Sequence, residues 1–311
     1  LDTEQGELMV LSSARYRIKH QTRYQYSDPV AICQNQLRMM PTSREQSLSQ
    51  IDCHRVETLI TPEPDVISQH TDYFGNTVYS FSIESLHRKL EISVQSEVTV
   101  TSQQWPDPDQ SVSWQQIVEQ LSNYSDQNWS TVEEFCFDSP RIRRGEKYRD
   151  YALKSFATER NVIDAAMELT RRVNEDFKYD TKATDVNTPT DKAFDMKAGV
   201  CQDFAHVQVA CLRSIGLPAR YVSGYLRTTP SQGEDPLVGS DESHAWVSLY
   251  MGQQFGWIDF DPTNACRCDA NHIPVCLGRD YSEVSPMRGV VLGGGETSLQ
   301  VSVDVQVLGD E

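Results

Sequence analysis

Three residues of this chain have the types and spacing for nucleophilic attack on a carbonyl. Cys201 lies in Gly199-Val200-Cys201-Gln202-Asp203-Phe204-Ala205-His206, just after a glycine and at the opening of a helix-like run. His244 follows in Ser243-His244-Ala245-Trp246, and Asp261 in Phe260-Asp261-Pro262-Thr263-Asn264. Thiolate chemistry needs a nucleophile, a base beside it and a group that orients the base, and these residues supply that set in chain order. At a helix start the unpaired N–H groups and the dipole favour an anion, so the thiol of Cys201 is expected to ionise readily. The same N–H groups can hold the oxyanion of a tetrahedral intermediate. Gly199 reads as the residue that lets the chain turn sharply into the site.

Each member has rivals. Cys211, deeper in the same run, reads as a small buried hydrophobe. Asp259 is a second candidate orienter two residues before Asp261. His206 is a second candidate base, but five residues along a helix from Cys201 it points well away. The hairpin between His244 and Asp261 decides whether they meet. A four-residue loop, Gly252 to Phe255, pairs Trp246 with Asp261 and leaves His244 and Asp261 diagonal neighbours on one face, roughly 7–8 Å apart. A five-residue loop slips the register by one and turns Asp261 to the other face.

The elements that must position these residues follow from periodicity. Tyr16, Ile18, His20, Thr22, Tyr24 and Tyr26 alternate along one strand face, as do Leu90, Ile92, Val94, Ser96, Val98 and Val100. Gly75-Asn76 is a hairpin turn signal. Residues 14–103 are therefore expected to form an antiparallel, β-sandwich-like module. A polar break with Trp105-Pro106-Asp107-Pro108-Asp109 marks the boundary. Val162, Ala165, Ala166, Leu169 and Val173 then fall on one helical stripe, with Asn161 as N-cap. A second helix is expected over Gln202 to Ile215, stopped by Gly216 and Pro218. Short strands return at 219–226, 245–251 and 257–261, and Leu299, Val301, Val303, Val305 and Val307 alternate near the end. The fold class is α+β, divided into an extension (1–13), a β module (14–103), a linker and helical segment (104–155) and a catalytic core (156–311).

A net charge of -17 opposes nucleic acid and anionic membrane as partners, because the phosphate interaction would be repulsive. No apolar run approaches the ~20 residues of a membrane span. The eight cysteines are scattered through a chain large enough to fold on a core, unlike a disulfide scaffold. The acidic N-terminus lacks the features of a signal peptide, so reduced thiols and a cytoplasmic location are expected. Cys266-x-Cys268 with His272 and Cys276 lacks the paired spacing of a zinc site, so no metal is assigned. Gly293-Gly294-Gly295, without a following Lys-Ser/Thr, reads as a turn, and no cofactor pattern appears. Residues 228–242, polar and rich in Pro and Gly, read either as a plain surface loop or as a mobile rim over the site. Tyr179 is a candidate oxyanion donor.

Taken together, the motifs around Cys201, His244 and Asp261 resemble the bacterial transglutaminase-like superfamily, often described as cysteine proteases. The similarity continues through Leu212-Arg213-Ser214-Ile215-Gly216-Leu217-Pro218-Ala219-Arg220-Tyr221-Val222-Ser223-Gly224-Tyr225-Leu226, Trp257-Ile258-Asp259-Phe260-Asp261-Pro262-Thr263-Asn264 and Gly278-Arg279-Asp280-Tyr281. Residues 16–26, Leu37-Arg38-Met39-Met40-Pro41 and Phe74-Gly75-Asn76 are similar to the β-rich region preceding this core in bacterial members. The resemblance implies a papain-like core of helices packed on an antiparallel sheet, with Cys201 as nucleophile, His244 as base and Asp261 as orienter. It implies a thioester acyl-enzyme formed from a peptide or amide substrate. Water as acceptor gives a peptidase or amidase; an amine gives a protein-glutamine transamidase. An inactive core serving as a binding scaffold is the alternative from outside enzymology.

Overall fold

The structure is a computed structural model and describes residues 10–46, 48–227 and 243–310. Six strands open the chain: β1 (Val10–Leu37), β2 (Arg44–Glu45), β3 (Ser49–Thr61), β4 (Val66–Thr71), β5 (Thr77–Ile83) and β6 (His87–Gln103). Then come α1 (Trp114–Ser122), α2 (Trp129–Val132), α3 (Glu146–Leu153), α4 (Val162–Asp176), β7 (Lys178–Tyr179), α5 (Thr190–Met196), β8 (Ala198–Gly199) and α6 (Cys201–Ser214). The remainder is β9 (Ala219–Leu226), β10 (Ser243–Tyr250), β11 (Trp257–Asp261), β12 (Cys266–Arg267), β13 (His272–Gly278), α7 (Tyr281–Val284), β14 (Met287–Gly293) and β15 (Thr297–Asp310).

Alternation builds the N-terminal sheet. Tyr16, Ile18, His20 and Thr22 of β1 are buried on one face, and so are Leu90, Ile92, Val94, Ser96, Val98 and Val100 of β6. Between β4 and β5, Asp72 accepts the backbone N–H groups of Phe74 and Asn76, while Gly75 takes the left-handed conformation (φ 79°). β1 belongs to four antiparallel ladders, two along each half of its length. Residues 14–26 lie between β6 and β15, and residues 30–37 between β5 and β14. The register breaks between Gln25 and Val30, where Pro29 has no N–H to give a ladder. The second half of β1 and β5 then pack over β3 and β6. Val30, Cys33, Leu37, Phe81 and Ile83 meet Ile60, Leu90, Ile92 and Val94 in one buried cluster.

Two boundaries differ from those read in the sequence. Residues 156–311 were assigned together to the core, but β14 and β15 complete the N-terminal sheet by pairing with β1. The alternation of Leu299 to Val307 specifies a strand and a face, not the partner across the ladder. The sequence reads residues 104–155 as a linker and helical segment. Here Ile117, Leu121, Phe135, Ile142, Tyr148 and Tyr151 from that segment are buried in the main core, and Ser113 bridges Asn161 at the start of α4. The proline-rich break therefore ends a sheet without separating two bodies.

The core sheet runs β12-β11-β10-β9-β13, antiparallel throughout. α6 packs on β9 and β10 and is buried from Gln202 to Arg213. α4 starts on Asn161, whose side chain accepts the N–H of Asp164 at 2.9 Å. α6 ends at Gly216 (φ 88°), where Leu217 N–H bonds Leu212 O and Gly216 N–H bonds Arg213 O, closing the last carbonyls. The same core cluster takes in Ala14, Tyr16, Ile18, Ile51, Val98, Val100 and Val303, so the N-terminal sheet rests directly on it. Among the described residues no helix is long and apolar enough to cross a membrane.

Candidate active site

Cys201 is the first residue of α6 and is half-buried. The chain reaches it through the two-residue parallel pair of β7 and β8, and Asp180 N–H bonds Gly199 O. Asp203, in the first turn of α6, folds back so that its Oδ2 accepts Val200 N–H at 2.9 Å and Thr184 Oγ1–H at 2.6 Å. That arrangement explains Gly199. A Cβ there would stand 2.3 Å from Asp203 Oδ2, so glycine is needed for close approach of the helix cap, whereas the sequence suggested a sharp turn.

His244 and Asp261 meet because the hairpin has the shorter of the two loops considered. Val247 pairs with Phe260, Ser248 with Asp259 and Tyr250 with Trp257, and Met251 N–H bonds Gly256 O across the turn. On that register His244 Nε2 lies 2.7 Å from Asp261 Oδ2. Nδ1 is left for Cys201, with which the ring also hydrogen-bonds. Asp261 is fully buried. Its Oδ1 accepts the backbone N–H groups of Thr263 (2.8 Å) and Asn264 (3.2 Å). The Pro262-Thr263-Asn264 turn thus satisfies one carboxylate oxygen and aims the other at His244.

The rivals are accounted for elsewhere. Asp259 Oδ2 accepts the indole N–H of Trp246 at 2.9 Å. His206 Nε2 accepts the backbone N–H of Tyr281, and burial pushes its pKa down to about 3. Cys211 is buried in the core, and that burial raises its pKa. Cys276 bonds Arg38 O, apart from Cys266 and Cys268. Tyr179 is exposed and stacks obliquely near Phe204. The proposed rim, residues 228–242, lies outside the described residues.

Two contacts were not anticipated. Asn264 Nδ2 donates to Asp261 Oδ2 at 2.6 Å and stands 3.5 Å from His244 Nε2. His272, on β13, places Nε2 3.2 Å from the same oxygen. In the sequence Asn264 closes the Asp261-Pro262-Thr263-Asn264 segment and shows no role of its own. His272 carried no signal beyond its nearness to Cys266 and Cys268, because β13 reaches the site only by pairing with β9.

Charge is concentrated here. Burial opposes ionisation of His244, but the Asp261 and Cys201 hydrogen bonds outweigh it and raise its pKa to about 9. Burial also opposes the charge on Asp261, yet the His244 and His272 hydrogen bonds hold its carboxyl well below the usual range. The arrangement suits an imidazolium beside a sulfur nucleophile, backed by an ionised carboxylate.

Comparison with known proteins gives the family. The family profile of the transglutaminase-like superfamily matches residues 149–262, and that of the bacterial transglutaminase-like N-terminal region matches residues 16–99. An uncharacterized protein of Mycobacterium tuberculosis is 36% identical over 296 residues, covering 94% of this chain and 92% of that protein. The chain belongs to the transglutaminase-like superfamily. A Mycobacterium leprae protein, also uncharacterized, is 31% identical over 296 residues. A protein-glutamine gamma-glutamyltransferase of Pseudomonas aeruginosa is 30% identical over 155 residues, 49% of this chain and 22% of that protein. Among solved structures, a "putative cysteine protease" from Cytophaga hutchinsonii has the same fold. It superposes with a TM-score of 0.74 at 18% identity, over 97% of this transglutaminase-like chain and 93% of its own.

Proposed function

We propose that this chain is a cysteine-dependent hydrolase of peptide or amide bonds, working through a thioester on Cys201. The observation that carries the reading is His244, held between the Cys201 thiol and a fully buried Asp261. The Cys201 sulfur attacks the carbonyl carbon, and the oxyanion faces backbone N–H groups at the start of α6. His244 gives its proton to the departing amine as the C–N bond breaks. It then takes a proton from the water that attacks the thioester, and the thiol is regenerated. Asp261, locked by the Thr263 and Asn264 N–H groups, keeps the imidazole oriented throughout.

An amine in place of that water gives transamidation. The similarity to the Pseudomonas protein-glutamine gamma-glutamyltransferase supports keeping this as the second reading. One experiment separates them. Glutamine-containing peptides are incubated with the protein, with and without a fluorescent primary amine, and peptide cleavage, ammonia and amine incorporation are followed. Intact mass then reports any acyl adduct on Cys201. Hydrolysis products without incorporation, abolished by Cys201→Ala, support the hydrolase; incorporated amine supports the transamidase. No adduct and no turnover, with Cys201 alkylating no faster than Cys211, would leave a binding scaffold as the better account.

A further inference from the structure

Beside His244, on the same oxygen of Asp261, lies a cluster that the acyl-transfer reading does not use. The imidazole of His272 has two ring nitrogens and is buried. It hydrogen-bonds with two carboxylates, Asp261 through Nε2 and Asp269 through Nδ1, both at 3.2 Å, and the thiols of Cys266 and Cys268 lie close by. Asp269 backbone N–H also points at Nδ1, at 3.2 Å. Asp261 Oδ2 is crowded in the same way, facing His244, His272 and Asn264 at 2.7, 3.2 and 2.6 Å. An imidazolium satisfies both carboxylates, but the Asp269 N–H then points at a protonated Nδ1. A cation bound at Nε2 would take the place of its proton against Asp261.

The spacing fits such a cation. One ligand atom each from Asp261, Cys266 and His272 lies within 4.8 Å of the others. Two oxygen or nitrogen ligands about 2.0–2.1 Å from a tetrahedral zinc stand roughly 3.3 Å apart, close to the Asp261–His272 separation. A thiolate at about 2.3 Å would have to close in by little more than ~1 Å. Cys266 pairs with Asp261 across β11 and β12 and is half-buried, so the metal has a path from solvent. A thiol, an imidazole and a carboxylate together favour zinc over magnesium or calcium.

We propose that Asp261, Cys266 and His272 form a zinc site, through which the metal restrains the nucleophile from behind. Binding releases the Cys266 thiol proton to solvent, and His272 binds through an unprotonated Nε2. The metal's charge then competes with His244 for the Asp261 carboxylate. This last consequence rests on the acyl-transfer reading; the metal site does not.

The test uses the full chain carrying Cys201→Ala, which removes Cys201 as a rival ligand. Iodoacetamide labelling is followed cysteine by cysteine, with and without zinc. The expected result is at least tenfold protection of Cys266, with Cys53 unchanged and the protection lost in His272→Gln. Equal labelling of Cys266 with and without zinc overturns the site and needs no second variant. Cobalt(II) gives an independent readout: a thiolate charge-transfer band that Cys266→Ser removes. A band that survives Cys266→Ser overturns the ligand set. In the wild-type chain zinc is expected to slow Cys201 labelling. If Cys266 is protected while Cys201 labels as before, the regulatory half of the proposal falls.

Discussion

Gly224 stands directly across the sheet from His244, and the indole of Trp246 fills the space a side chain there would need. A Cβ on Gly224 would lie 2.2 Å from Ile273 O and 2.5 Å from the Trp246 ring. The first neighbour is backbone and cannot step aside. Gly224→Ala is therefore expected to part β9 from β13 and displace Trp246, costing about 1–3 kcal/mol by overpacking. Chemical denaturation measures the loss. Because Trp246 packs edge-on against His272 (5.4 Å), a shifted tryptophan emission in the folded variant should accompany slower Cys201 labelling.

Asp261→Asn keeps the shape of the side chain but puts an NH₂ group or a neutral oxygen where His244 and His272 now find an anion. Labelling of Cys201 near neutral pH, and any turnover, should fall by about 10²–10⁴-fold. Stability should fall as well, by about 3–5 kcal/mol, since the partners of a buried charge are left unpaired. Wild-type labelling rates in Asp261→Asn would refute the role assigned to the carboxylate.

The pH dependence of stability carries its own signature. The pKa of His244 rises from 6.5 to about 9 on folding, so its contribution is complete below 6.5 and is lost as the pH climbs through 9. The shift corresponds to something on the order of 3 kcal/mol at most. Unfolding free energies of wild type and His244→Gln, compared at about pH 6 and about pH 9.5, should converge at the higher pH. A gap that stays constant across that range would mean that His244 is not charged in the folded state.

Arg213 fastens α6 to its surroundings from inside the core. Its guanidinium donates to Ala219 O at 3.0 and 2.8 Å, Arg279 O at 2.7 Å, Phe137 O at 3.2 Å and Ser139 Oγ at 3.2 Å. Arg213→Met fills the volume but strands those acceptors, at a cost of roughly 2–5 kcal/mol. Arg213→Lys should recover part of it, because an ammonium can still reach one or two carbonyls. Thermal midpoints of the two variants against wild type settle the order.

The hairpin is the part of the site most legible in the sequence. Gly252 and Gly256 both take positive φ (85° and 57°), which fixes the loop length, and the loop length fixes the face on which Asp261 emerges. The start of α6 was equally readable, because Gly216 and Pro218 set its end and the apolar run sets its length. His272 was not readable as a neighbour of Asp261. β13 joins β9 rather than the strand before it, and periodicity says nothing of partners. The same gap hid the destination of β14 and β15. Residues 104–155 were obscured for another reason: three short helices separated by polar turns average to a linker, although Phe135 and Tyr148 are core residues.

The ladder between β1 and β15 places Tyr16 beside Val307, almost the full described length of the chain apart. A ribosome delivering this protein releases β1 well before β14 and β15, and about half of its hydrogen-bonding groups stay unpaired until Met287–Asp310 have emerged. The N-terminal sheet is thus incomplete until those residues are available, with the large loop-closure entropy that distant pairings bring. A fragment cut at residue 103 would expose a bare strand edge and is expected to aggregate. Conversely, an engineered link from β15 back to β1, with new ends opened between Asp107 and Ser111, should fold faster than the present connectivity while leaving Cys201, His244 and Asp261 in place.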